Sequence, residues 1–212
     1  LEYIRQYVSD RGIDIVLFLS RDGDILSQAY RILYPEQKQA YVFWSRNVAV
    51  RLTAEYYRYD FIERFLSHQK NKSLTLKEVF DSMDLKEYLE KSGFLKDDLL
   101  TDKNESLIRE FLNQNWTDII MKYHKESCTA KKYYEAVLNG YGKACAVDIG
   151  WAGSGAMALK YLIEKQWKLP CEITGLLAGT NSIYNTDPNT AEAMLQSGIM
   201  NAYLFSQSHN RD

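Results

Sequence analysis

The sequence predicts an α/β fold: a three-layer domain with a mostly parallel sheet and a helical insertion between the second and third strands. Three observations carry this. Short apolar runs rich in β-formers alternate with stretches of helical periodicity. Those runs lack polar alternation, as expected of strands buried on both faces of a parallel sheet. Between residues 47 and 140 the strand signals stop and helix-capping patterns multiply.

Residues 1–11 place Leu1, Ile4, Tyr7 and Val8 at helical spacing, and Gly12 ends the run. Ile13 to Leu19 (IDIVLFL) reads as the first strand, bounded by Gly12 and by SRDGD. A helix follows from about Ile25 to Tyr34 and stops at Pro35, with Ile25, Ala29, Ile32 and Leu33 on one side. Gln39 to Trp44 (QAYVFW) is the second strand, closing a βαβ unit with a right-handed crossover. Within 47–140, Thr75 with Glu78 and Asp84 with Glu87 have capping-box spacing, and Gly93 is a helix stop. Leu107, Phe111, Leu112, Trp116, Ile119 and Ile120 keep helical periodicity. The sheet resumes with Lys143 to Ile149 (KACAVDI), then GWAGSG and a helix over about 154–166. A fourth strand covers Glu172 to Ala178, a short helix Ala191 to Ser197, and a fifth strand Asn201 to Phe205. The expected organisation is therefore an α/β core from 1–46 and 141–212 around an insertion at 47–140.

Composition narrows the function classes. The 212 residues are 46% hydrophobic and 25% charged, which excludes a disordered or fibrous chain. With 26 basic against 28 acidic residues the net charge is −2, so a nucleic-acid partner held by backbone electrostatics is not expected. No apolar run approaches the roughly 18 residues of a membrane helix. The charged, amphipathic first residues do not read as a signal peptide, and the absence of an initial Met points to removed upstream sequence. Cys128, Cys145 and Cys171 are widely spaced, and no Cys-x-x-Cys pair exists. Neither a zinc cluster nor a disulfide scaffold is expected, and the default setting is cytoplasmic.

Three predicted strands end in polar loops: Ser20-Arg21-Asp22-Gly23, Ser45-Arg46, and Asp148 through Gly155. In a parallel sheet all three emerge at the carboxyl edge, where open α/β sheets bind ligands. The candidate site for an anion comprises Ser20, Arg21, Gly23, Ser45, Arg46, Gly150, Gly153 and Ser154. Glycine-freed amides and a helix N-terminus cradle phosphate, and arginine grips it in a bidentate way. Asp22 and Asp148 are the candidate catalytic groups, as acid/base or hydroxyl-orienting carboxylates. The plainer alternative makes the glycines a tight turn, Ser154 a cap, and Asp22-Gly23 a turn with Arg21 paired to a carboxylate. Asp22-Gly23-Asp24 also admits a metal reading with Mg²⁺ or Mn²⁺, although Asp24 is expected to cap the helix that follows. GWAGSG is neither a Walker loop nor the dinucleotide fingerprint.

FLSRDGDIL, YVFWSR and VDIGWAGS together resemble a region that follows haloacid dehalogenase-type hydrolase modules in bacterial proteins linked to surface-polysaccharide and glycosyltransferase loci. The module's own Asp-x-Asp-x-Thr nucleophile motif is absent from these residues. In layout the domain is similar to type I phosphoribosyltransferases, whose phosphate loop also follows a strand ending in acidic residues. That likeness implies Asp148 at the second acidic position and Ala152-Gly153-Ser154 in the phosphate loop. Val147 stands in place of the first acid and Ala152 in place of the usual hydroxyl residue, so phosphate cradling is what it implies. The expected function is an enzyme-like, transferase-type domain that binds a phosphorylated sugar or nucleotide. The alternatives are a metal-dependent phosphohydrolase or glycosyltransferase, and a non-catalytic domain that docks an upstream hydrolase or glycosyltransferase module.

Overall fold

The sheet is built outward from β1 (Ile15–Leu19), all five of whose residues are buried. The computed structural model describes residues 1–150, 153–180 and 193–206. Five strands run parallel in the order β2-β1-β3-β4-β5, where β2 is Gln39–Val42, β3 Lys143–Asp148, β4 Glu172–Thr180 and β5 Met200–Ser206. This is the α/β fold with a parallel sheet that the apolar runs predict.

Alternation along the strands separates two cores. Val16 and Phe18 of β1, Cys145 and Val147 of β3, and Leu176 of β4 pack with Ile4, Tyr7 and Val8 of α1 (Glu2–Arg11) and Tyr30 of α2 (Gly23–Leu33). On the other face, Gly175 lets α9 (Ser154–Tyr161) approach, because a Cβ there would lie 3.3 Å from the Ala156 Cβ. Each such aliphatic side chain contributes about 1.5–3 kcal/mol by leaving water. α1 ends at Gly12 in the left-handed region, φ 59°, as its position after the periodic run predicts. α9 continues into one π-helical turn at Leu162–Gln166, so the expected 154–166 helix is one run with a change of winding. Residues 193–196 form a helical turn; residues 191 and 192 of the expected 191–197 helix lie outside the described residues.

The structure settles which side of α2 is buried and corrects one capping expectation. In α2 the buried residues are Gly23, Ser27 and Tyr30, whereas Ile25, Ile32 and Leu33 are exposed. Tyr30 carries the larger apolar surface inward, against Phe18 and Tyr34, and so sets the rotation of the helix. Asp84 and Glu87 form no capping box: the helix α6 (Lys86–Ser92) starts after Leu85, and both carboxylates pair with Lys122.

The chain divides into two compact units, Leu1–Ala49 with Ala130–Asp212, and Val50–Thr129. The stretch expected to be helical holds α3 (Arg46–Leu52), α4 (Arg58–Phe65), α5 (Leu76–Ser82), α6, α7 (Glu105–Gln114) and α8 (Trp116–Val137). The second unit has its own core, in which Phe61 contacts the rings of Phe65, Trp116 and Tyr123. Thr75 and Glu78 complete the predicted capping box at the start of α5. Among the described residues no helix is long and apolar enough to cross a membrane.

Candidate functional site

Strand order reverses between β1 and β3: the chain leaves β1 for β2 on one side and returns as β3 on the other. The carboxyl ends flanking such a reversal open into a crevice, because the following loops diverge. Phe18 pairs with Val147 and Leu19 with Val42, so the three strands end at nearly one level. Ser20, Asp148 and the Trp44-Ser45-Arg46 segment therefore come to the same edge. The structure brings the predicted loops together.

Hydrogen bonds tie these loops. The Ser20 hydroxyl donates to the Trp44 carbonyl at 2.8 Å and accepts from the Trp44 amide at 2.9 Å. The Trp44 indole Nε1–H donates to the Gly155 carbonyl at 2.8 Å. One buried tryptophan thus joins the loop after β1, its own loop after β2, and the first turn of α9. Sequence reasoning missed Trp44 as a site residue, since at the end of an apolar run it reads as core. Its position directly before Ser45-Arg46 was the available signal.

The hydroxyls predicted to bind an anion are mostly engaged. Ser20 serves the Trp44 bridge. Ser45 accepts the Val48 amide at 3.2 Å, at the start of α3. Ser154, exposed, opens α9, whose N-terminus has no side-chain cap. The first amides of a helix have no intrahelical acceptor, so this end offers donors to an anion.

Asp148 sits between two turns. Its Oδ1 accepts the Gly150 amide at 3.2 Å, so that N–H is engaged. A Cβ on Gly150 would stand 2.9 Å from Asp148 Oδ2, and one on Gly155 would stand 3.4 Å from it. The carboxylate therefore faces the first turn of α9 as well as its own loop. Burial, and to a lesser extent the negative charge of Asp148, raises the phenol of Tyr203 on β5 above its usual range.

Gly153 is required for two reasons. Its φ is 68°, which L side chains rarely adopt, and a Cβ would overlap the Met200 sulfur. Gly23 is buried, and a Cβ there would lie 2.9 Å from the Phe18 carbonyl carbon. These glycines set the approach of backbone to core. Trp151 and Ala152 of the same loop lie outside the described residues.

Arg21 and Arg46 are exposed, and neither has an ion-pair partner among the described residues. Asp22 is exposed at the N-cap position of α2 without a side-chain cap bond. Asp24, expected as the cap, falls inside the helix, and its amide donates to the Arg21 carbonyl at 3.1 Å. Among the described residues no group of three or more His, Cys, Asp or Glu side chains is placed to hold a metal ion. The edge thus combines two guanidinium groups, two helix ends without side-chain caps, and two carboxylates of different setting.

No protein-family model matches this chain, and neither curated proteins nor solved structures provide a match.

Proposed function

We propose that the first unit binds the phosphate of a phosphorylated sugar or nucleotide at the crevice between β1 and β3, in chemistry of the transferase type. The observation that carries this reading is the reversal of strand order, flanked by the N-terminus of α9, which has no side-chain cap, and by Arg21, which has no ion-pair partner among the described residues. The amides of Ser154 and Gly155 donate to phosphate oxygens, in place of the engaged Gly150 amide. Arg21 and Arg46 offset the negative charge. Asp148, held by Gly150, orients a sugar hydroxyl or accepts its proton, and exposed Asp22 is the second carboxylate. Catalysis in such a site works by positioning and electrostatics. The surface-glycan setting and an upstream hydrolase or glycosyltransferase module rest on the resemblance of the three loop motifs. The free thiols of Cys128, Cys145 and Cys171 support a cytoplasmic setting.

Titration calorimetry with inorganic phosphate, ribose 5-phosphate and a sugar nucleotide tests this, with and without Mg²⁺. The expected result is binding of the sugar phosphates that weakens about tenfold or more in Arg21→Ala, the loss of roughly one charge-assisted contact. Asp148→Asn should keep phosphate binding and lose the preference for a sugar. Binding unaffected by Arg21→Ala would place the ligand elsewhere.

A further inference from the structure

We infer that α2 is the contact helix of a symmetric dimer of this chain. Ile25 is 76% exposed, Ile32 80% and Leu33 57%, on a helix whose opposite side is buried through Gly23, Ser27 and Tyr30. Three large aliphatic side chains contiguous on one 11-residue helix form the kind of patch that marks an interaction surface.

The charges beside this stripe identify its occupant. Ile25 and Ile32 are seven residues apart and lie almost in line along the helix, about 10 Å from each other. Ala29 and Leu33 adjoin them. Asp24 and Arg31, also seven apart, lie together on one flank of the stripe and at its opposite ends. Both are exposed, and neither has an ion-pair partner among the described residues. A two-fold axis that crosses the helix at right angles, within the contact plane, runs two copies of α2 antiparallel. It also keeps each flank on its own side. Asp24 of one copy then faces Arg31 of the other, and the reverse pair forms by symmetry. Ile25 meets Ile32 and Leu33 across the contact, and the small Ala29 at the centre lets the backbones approach. A parallel pairing sets the charged flanks on opposite sides and makes neither ion pair. The spacing is thus complementary to itself, which a second copy satisfies.

One helix stripe covers less than the roughly 800 Å² per partner of a standard interface, so the association is reversible and depends on concentration. Sedimentation equilibrium of the whole chain, from about 10 µM to about 1 mM, measures it. The expected result is a shift from monomer to dimer across that range. Ile32→Glu should remain monomeric throughout, with unchanged circular dichroism and melting temperature because the side chain is exposed; Ile25→Lys should behave likewise. Arg31→Asp should weaken association about tenfold or more, and Asp24→Arg with Arg31→Asp should restore it. A native chain that stays monomeric, a dimer that persists in Ile32→Glu, or a charge swap that fails to restore association would overturn the inference.

Discussion

Trp44 couples three loops through a single side chain, so its substitution separates packing from polar linkage. Trp44→Phe keeps an aromatic ring beside Tyr134 and removes the donor to the Gly155 carbonyl. The carbonyl loses its partner in a part-buried setting, which costs about 1–3 kcal/mol. A urea unfolding midpoint lowered by that amount, with phosphate affinity reduced as α9 loses its anchor, is the expected outcome. Gly153→Ala should be more severe, at several kcal/mol by order of magnitude, because the added methyl meets both Met200 and a forbidden φ. Soluble yield and melting temperature will show it. Residues of this kind were only half legible in the sequence. Glycine after a buried strand announces a turn, but that Met200, on β5, is what excludes a side chain follows from tertiary contact alone. The same holds for Ser20 and Ser45, whose hydroxyls suit an anion in sequence and serve the chain itself in the structure.

At the scale of elements, strands were legible and helix rotation was not. β1, β3 and β4 are central strands buried on both faces, so their apolar runs leave little ambiguity. α2 carries aliphatic residues on one side and Ser27 and Tyr30 on the other, and periodicity alone does not say which side faces the sheet. Packing favoured Tyr30 against Phe18 and Tyr34. Two capping-box spacings likewise looked alike. Thr75 is followed by a helix beginning at Leu76, so its hydroxyl accepts the Glu78 amide. Asp84 precedes Leu85 with φ 57°, a turn that carries its carboxylate to Lys122 instead. Thr75→Ala should therefore cost about 1 kcal/mol, read from thermal or urea unfolding of the whole chain.

For the molecule as a whole, stability should fall at alkaline pH. Burial pushes the Cys145 thiol from an ordinary 9.0 up to about 12. The folded state then holds this proton more tightly than the unfolded chain. The contribution is full below about pH 9 and is lost as pH rises through about 12, at up to about 1.4 kcal/mol per pH unit. Cys145→Ala should show a flatter decline of unfolding free energy across that window.

We propose that the strand ends of one unit converge on an anion. Thermal denaturation with ribose 5-phosphate at millimolar concentration addresses it most directly, since a ligand that binds only the folded state raises the melting temperature. Arg21 is exposed at a loop edge, and its removal should leave the unliganded melting temperature nearly unchanged. The predicted result is a rise for the native chain that shrinks in Arg21→Ala and weakens with added salt. A folded native chain with no rise for any phosphorylated sugar or nucleotide, or a rise of equal size in Arg21→Ala, would contradict it.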